Sequence, residues 1–596
     1  VNLCKGNRRW PAIIGLLGLL FGVSAAQAST GPADLARVKP AVACTSLINT
    51  DLVDIGGKGS RVTAAVDTTN DGVPVCAVSG TLAPAIEFRV LLPRETWTQR
   101  YMQLGCGGLC GRISMRSGAS DGCQVLANGG FVLGSTNMGH DGNGGEFGLD
   151  PQKRADFAYR AQHLTADTAK RLIRAYYGQS PEYAYFNGCS DGGREALVEA
   201  QRYPDDFDGI IAGAPAMNFQ VQNTLYHGWQ ATVNRDDDGN AILLADRLPV
   251  LHRAVVAACD DLDGLSDGLI SAPLQCDFDP ASVVCPDDVT DTRDCLTPAE
   301  ARVASQFYQG PVDADTGTHL TAGQPLYGSE LAWAGVYVPT SADGQVMSRM
   351  AALPALRYLA FDESPGEAFT LDDLRFDLAT FNRLRARHPL YDATNPDLSA
   401  FAGQGGKLIL WHGLADPHIS PLNTIAYHQA VQSQMGEGQA EAFERLYLLP
   451  GVYHCGQGEG PSQVDLLTPM MEWVENGQAP DAIVTRQSAS EQASDFGQPH
   501  MGEGKAGKGS RPGKPPGAGR DGHGPMADGP PPMLTSSADV PERSRPIYPY
   551  PDVAAYSGEG DENDAASFER GDALNAVPMP DWAGSDFYMP YEPRER

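Results

Sequence analysis

The chain has 596 residues, 42% of them hydrophobic and 20% charged, which is enough for a core with an insertion or for several domains. Its net charge of −30 argues against nucleic acid as a partner, since phosphate binding needs clustered Lys and Arg. The same charge suits a protein kept soluble outside the cell.

The first residues place Lys5, Arg8 and Arg9 ahead of an apolar run from Ile13 to Val23, followed by the small-x-small triplet Ala26-Gln27-Ala28. That order describes a secretory signal peptide, residues 1–28, and a secreted protein (periplasmic or extracellular). No later stretch is long and apolar enough for a transmembrane helix, so no membrane partner is expected. An oxidising compartment makes disulfides the default for the 12 cysteines. Cys4 leaves with the signal, and the odd remainder leaves at least one thiol without a partner in the chain. With no CxxC and no HExxH in the sequence, zinc has little support.

Residues 76–97 alternate and are rich in Val, Ile and Phe, which predicts early strands. A strand ending in the glycine-rich QLGCGGLCG follows, then a strand in GGFVLGSTNMGHDG. LTADTAKRLIRAYYG predicts a helix capped by Thr165, with Ala169, Leu172, Ile173 and Tyr176 on one face and Gly178 at its end. EYAYFNG is a short strand, Gly192 to Tyr203 a helix, and FDGIIAGAPA another strand. This alternation predicts an α/β fold with a mostly parallel sheet, residues 29–215 forming its first part. From 216 to 395 the rhythm gives way to a segment rich in Asp, Pro and Cys, expected as an inserted domain. It resumes over 396–496 with GKLILWHGLADPHISP, a helix from about Pro421, and FERLYLLPGVYHC. Residues 497–540 are rich in Gly, Pro and Lys and are expected to be a disordered linker. Residues 541–571 form an extended C-terminal segment, and 572–596 an acidic tail.

The strand at Tyr183–Asn187 runs into Gly188-Cys189-Ser190-Asp191-Gly192 and then a helix. A tight strand-to-helix turn of this kind lifts a serine to the head of a sheet as a nucleophile. Serine needs a base, and the base an orienting acid. Asp416 in GLADPHISP and His454 in PGVYHCGQG follow in the order and positions such a sheet provides. Cys189 precedes the serine and Cys455 follows the histidine, so a Cys189–Cys455 disulfide would tether nucleophile to base.

GCSDGGREAL, GLADPHISP and YHCGQG together resemble the tannase and feruloyl esterase family, over about Cys44 to Phe568. The resemblance implies an α/β-hydrolase core with a large inserted lid domain and a calcium site in that lid. It implies hydrolysis of aromatic acid esters: ferulate, with gallate or the mono-hydroxyethyl ester of terephthalate as alternatives. The substrate would be a small aromatic ester or a phenolic ester of the plant cell wall. The calcium ligands carried over are the side chains of Asp260, Asp263 and Asp267 and the carbonyls of Leu265 and Leu269. Clustered carboxylates among Asp-Gly turns are also hard oxygen donors suited to Ca²⁺ on chemical grounds, though their spacing is not an EF-hand. The resemblance further implies bridges Cys259–Cys276, Cys285–Cys295 and Cys44–Cys76, leaving Cys106, Cys110 and Cys123 unassigned. The oxyanion hole of such an enzyme would be the Asp191 N–H with that of Gly107 or Gly108. His418, Ile419, Trp333, Tyr358 and Phe361 are candidate pocket residues. A catalytically inactive, calcium-stabilised binding protein and a serine peptidase are the competing classes. Tyr548 and Glu569 stand where relatives carry a disulfide, which leaves the docking of the last segment open.

Overall fold

The computed structural model describes residues 31–287, 289–487, 542–574 and 577–595. The expected signal peptide, residues 1–28, and the whole of the expected linker, residues 497–540, lie outside these residues. At the centre is a nine-stranded sheet. Its strands are β1 (Arg61–Asn70), β2 (Val73–Leu82), β3 (Ile86–Pro93), β4 (Arg100–Leu104), β5 (Phe131–Thr136), β6 (Tyr183–Cys189), β7 (Gly209–Gly213), β8 (Lys407–Gly413) and β9 (Glu444–Leu449). The spatial order is β1-β2-β3-β5-β4-β6-β7-β8-β9. The first four neighbours in that order pair antiparallel, and from β5 to β9 every pair is parallel. The composition explains the difference. β7 and β8, buried along nearly their whole length, are continuous apolar or glycine runs, whereas β1 alternates and leaves one face to solvent. The stretch at 76–97 thus forms most of β2 and all of β3, joined by a turn at 83–85, with Trp97 outside the strand.

Helix α1 (Ala161–Tyr177) buries Ala169, Leu172, Ile173 and Tyr176 and ends on Gly178 in the left-handed conformation (φ 80°). Thr165 does not cap it. The helical path already runs through Pro151–Ala155 and a π-turn at Asp156–Arg160, so Thr165 lies inside the helix, fully buried, with its hydroxyl unpaired. The cap is Asp150, whose carboxylate accepts from the N–H groups of Gln152 and Lys153, ahead of Pro151 at the first helical position. Helix α2 (Asp191–Arg202) follows β6 directly.

Between β7 and β8 the chain leaves the sheet. Residues 243–338 build a second apolar cluster around α3 (Leu248–Cys259) and α4 (Pro298–Gln309), with Phe307, Trp333 and Tyr337 at its centre. Ala415 and Tyr453, from the two loops that follow β8 and β9, also belong to this cluster. The flanks of the excursion pack on the main core instead, through Phe219, Val221 and Leu225 on one side and Leu356, Phe381 and Tyr391 on the other.

Helix α5 (Pro421–Met435) is capped by the Ser420 hydroxyl, and α6 (Leu467–Asn476) covers the other face of the sheet. β10 (Ile483–Gln487) then pairs antiparallel with β11 (Arg543–Ile547), and β12 (Ala554–Tyr556) with β13 (Phe568–Arg570). The C-terminal segment is therefore docked without a disulfide at Tyr548 and Glu569. The Arg570 guanidinium stacks over the Tyr548 ring at 4.6 Å and pairs with Asp481 and Asp552. The tail beyond it is docked as well, burying Trp582, Phe587 and Tyr588.

Candidate active site

Ser190 occupies the turn between β6 and α2 with φ 66° and ψ −123°, a left-handed conformation unusual for a non-glycine residue. Its N–H donates to the Gly213 carbonyl at 3.0 Å, and its carbonyl accepts from the N–H groups of Gly193, Arg194 and Ala216, so the strained turn is held from several sides. The two glycines after it are required by close approach. A Cβ on Gly192 would lie 2.8 Å from the Cys106 carbonyl oxygen, and one on Gly193 would lie 2.4 Å from that of Gly213.

Asp416 stands in the loop after β8 and is fully buried. Its Oδ1 accepts from the N–H groups of His418 (2.7 Å) and Ile419 (3.0 Å). Its Oδ2 faces His454 Nδ1 at 2.7 Å and His412 Nε2 at 3.1 Å. Burial opposes its ionisation, but the charge of His454 and the hydrogen bonds from His412 and His454 hold the carboxyl far below its ordinary range. With Nδ1 of His454 bound to the acid, Nε2 is the atom left for proton transfer. His412 was not singled out in the sequence. Its only signal is its place four residues before Asp416 at the end of a buried strand. A second imidazole missed there is His227, whose ring centroid lies 6.2 Å from that of His418, while His418 lies 4.8 Å from His454. Burial pushes both outer imidazoles down, His227 to about 4, so they surround the base as neutral groups.

Cys189 and Cys455 are bonded, with Cα atoms 5.9 Å apart, which ties the residue before Ser190 to the residue after His454 across 266 positions of sequence. The structure also bonds Cys44–Cys76, Cys259–Cys276 and Cys285–Cys295, and it pairs Cys106 with Cys110. Among the described residues Cys123 is the free thiol, buried and with its ionisation suppressed by that burial.

The Cys106–Cys110 bond closes the loop holding Gly107 and Gly108, and Gly105 in that loop packs on the Gly192 backbone. Gly107 therefore lies beside the first turn of α2. It borders a groove of about 710 Å³ that also touches Asn187, Cys189, Trp411, His454 and Cys455. His418 and Ile419 are buried, and their backbones serve Asp416. Neither Trp333 nor Phe361 borders that groove. Trp333 is fully buried in the second cluster, its indole N–H on Ser329 Oγ, which corrects its reading as a pocket residue: an aromatic at that position is core. Phe361 packs between Phe369 and the Arg383 guanidinium, and Tyr358 lies in a separate hollow with Glu146 and Arg349.

The segment 260–269 forms tight Asp-Gly turns. Asp260 accepts from the Gly268 N–H, Asp263 from Leu265 and Asp267 from Leu269. Burial, opposed by these N–H bonds and aggravated by neighbouring carboxylates, raises Asp260 and Asp263. Asp267 is also paired with Arg545 at 2.6 Å and Arg543 at 3.6 Å. Among the described residues, the groups of three or more ligand side chains converging within 4.8 Å lie elsewhere, at Cys106, Cys110, Asp191 and Glu195 and at His163, Glu199 and Asp206. The oxygen-only donor set at 260–269 and its mutual repulsion nevertheless fit a hard cation.

Residues 70–571 match the family described as Tannase and feruloyl esterase. The chain belongs to this family. Mono(2-hydroxyethyl) terephthalate hydrolase from Piscinibacter sakaiensis is 29% identical over 569 residues, covering 83% of this chain and 84% of that protein. A probable feruloyl esterase B from Aspergillus niger is 34% identical over 418 residues, 65% of this chain and 74% of that one. The crystal structure of feruloyl esterase B from Aspergillus oryzae superposes with a TM-score of 0.69 at 24% identity, covering 89% of this chain and 100% of that structure. The fold is that of the α/β hydrolases, and the family member described here is a carboxylic ester hydrolase. Among the described residues no helix is long and apolar enough to cross a membrane.

Proposed function

We propose that the protein is a secreted feruloyl esterase in which Ser190 is the nucleophile, His454 the base and Asp416 the orienting acid. The observation that carries this reading is the Asp416–His454 pair, joined through Cys455 and Cys189 to a serine held at positive φ. Ser190 Oγ attacks the ester carbonyl and His454 Nε2 takes the hydroxyl proton. The tetrahedral oxyanion is received by the N–H groups of Asp191 and Gly107. Collapse breaks the bond to the alkoxy oxygen, which takes the proton from His454, and water then repeats the sequence on the acyl-serine. Residues 216–395 act as the lid, and Asp260, Asp263, Asp267 and the carbonyls of Leu265 and Leu269 would hold a calcium ion that cross-links it outside the chemistry. The 29%-identical relative supports terephthalate monoesters as a second substrate class. A panel of methyl ferulate, methyl gallate and mono-hydroxyethyl terephthalate tests the assignment. The highest kcat/KM is expected on methyl ferulate, and preference for either other ester reassigns the substrate.

A further inference from the structure

Glu195 lies on α2 five residues beyond Ser190 and is directed at the loop after β4. It is 2% exposed. Its Oε2 accepts from the Cys106 N–H at 3.2 Å and from Gln162 Nε2 at 2.5 Å. Its Oε1 lies 2.8 Å from Cys106 Sγ and 3.2 Å from Cys110 Sγ. Those two sulfurs are bonded to each other and carry no hydrogen, so any proton on that side belongs to Glu195 itself. Burial first, and then the charge of Asp191, push this carboxyl well above the usual range, with Arg194 pulling the other way. Gln162 is itself oriented, its Oε1 receiving Gln103 Nε2 at 2.5 Å, and Gln103 Oε1 receives the Tyr101 hydroxyl at 2.5 Å. A buried chain of side-chain hydrogen bonds thus runs from β4 to the loop holding Gly107.

That loop has glycines at 105, 107 and 108, and glycine backbone does not hold a conformation unaided. Backbone bonds from the Gly105 N–H to Asn187 and from the Cys110 N–H to Gly107, and His140 on the Leu109 carbonyl, help to hold it, and at Cys106 itself two fixtures meet: the Cys106–Cys110 bond and the bond from the Cys106 N–H to Glu195. We propose that Glu195 is the positioning residue of the oxyanion hole, clamping the Gly105–Cys106 peptide, one residue ahead of the Gly107 N–H, to the helix whose first turn presents the Asp191 N–H. The inference rests on the serine-esterase reading above. One carboxyl then sets the separation of the two donors, because both are referred to the same helix. An oxyanion donor that is lost or misaimed costs about 10²–10³ in kcat.

The test compares Glu195→Ala, Glu195→Gln and Ser190→Ala on the preferred ester, with melting curves and the affinity of an aryl trifluoromethyl ketone as a mimic of the tetrahedral state. E195A is expected to lose about 10²-fold in kcat with KM changed less than about threefold, and to bind the ketone correspondingly more weakly. E195Q is expected to restore most of kcat, because its amide oxygen can meet both N–H donors while its NH₂ faces the sulfurs. A folded E195A with normal kcat, or a loss confined to KM, overturns the inference, as does an E195Q no better than E195A. If E195A does not fold, Glu195→Met fills the same volume without an acceptor and takes its place. Retained turnover in S190A sinks the serine reading itself, whereas a dead S190A beside a normal E195A sinks only the role of Glu195.

Discussion

Asp416 serves four donors at once, two backbone N–H groups and two imidazoles, so its geometry is fixed before substrate arrives. Asp416→Asn keeps the shape but offers an NH₂ where His454 needs an acceptor, and kcat is expected to fall by about 10⁴ with KM little changed. Ser190→Ala is expected to fall by a similar factor while melting normally, and near-normal turnover by either folded variant contradicts the assignment. The folded pKa of Asp416 is depressed, so its contribution to stability is present above the ordinary carboxylate pKa of about 3.9 and is lost as pH falls through the folded value. Glu199 works in the opposite sense. It is fully buried with neither oxygen hydrogen-bonded to a donor, and burial and then Asp206 raise it well above its usual range. Its protonated form favours the folded state, so that contribution is full below about pH 4.3 and declines as pH rises toward the folded pKa. Melting temperature plotted against pH is therefore expected to slope less steeply downward over pH 5–8 in Glu199→Gln than in the parent, and an unchanged slope refutes it. Ser190, Asp416 and His454 were visible in the sequence because each sits at a strand end beside a turn motif. His412, His227 and Glu195 were not, since nothing local marks a side chain whose partner arrives from another element.

The loops after β8 and β9 meet the second cluster through Ala415 and Tyr453, and two ion pairs sharing His252 reinforce that contact. His252 on α3 holds Glu330 at 2.7 Å through Nδ1 and Glu459, five residues past His454, at 3.2 Å through Nε2. Burial disfavours the imidazolium, but Glu459 and Glu330 outweigh it and push His252 up to about 10. A raised folded pKa means that this stabilisation is complete below about pH 6.5 and is lost as pH rises to 10. His252→Gln is accordingly expected to melt lower than the parent at pH 6, with the gap closing by pH 10; a gap independent of pH would mean that packing, not charge, accounts for it. The alternation of strands and helices was legible because the parallel strands are short apolar runs bounded by glycine turns. The early antiparallel strands merged into one stretch because only a three-residue turn separates them. Thr165 reads as the cap of helix α1 in the sequence, yet the chain ahead of it is already helical from Pro151, capped by Asp150. The aromatic residues at 333 and 361 read as pocket residues in the sequence but pack elsewhere, because core or pocket depends on which face of an irregular segment the tertiary packing covers.

At the scale of the whole molecule, the C-terminus closes the structure rather than trailing from it. The acidic composition of residues 572–596 concealed this, because the apolar contacts come from only a few aromatic residues spaced among acids and prolines. Trp582 packs edge-on to both Phe587 and Phe381, and Phe587 stacks on Phe381 and, at 3.9 Å, on His388. The Tyr588 hydroxyl accepts from Asn218 Nδ2 at 2.7 Å, the Phe587 carbonyl accepts from Thr394 Oγ1, and the Tyr591 hydroxyl donates to the Asp392 carbonyl. Every one of these partners lies in the stretches where the chain leaves β7 or returns toward β8, and β8 carries the loop with Asp416. The tail is thus a strap over both crossings of the inserted segment. Replacing a buried Phe or Trp by Ala costs about 3–5 kcal/mol, so Phe587→Ala is expected to lower the melting temperature by several degrees. Deletion of residues 577–596 is expected to lower it further, since it also exposes Phe381 and His388. Because no tail residue lines the groove beside His454, turnover at 25 °C by the folded fraction of Phe587→Ala should stay within about twofold of the parent. An unchanged melting temperature in the deletion would show that the strap contributes nothing. Loss of kcat in Phe587→Ala without loss of stability would mean that it acts on the site and not on the fold.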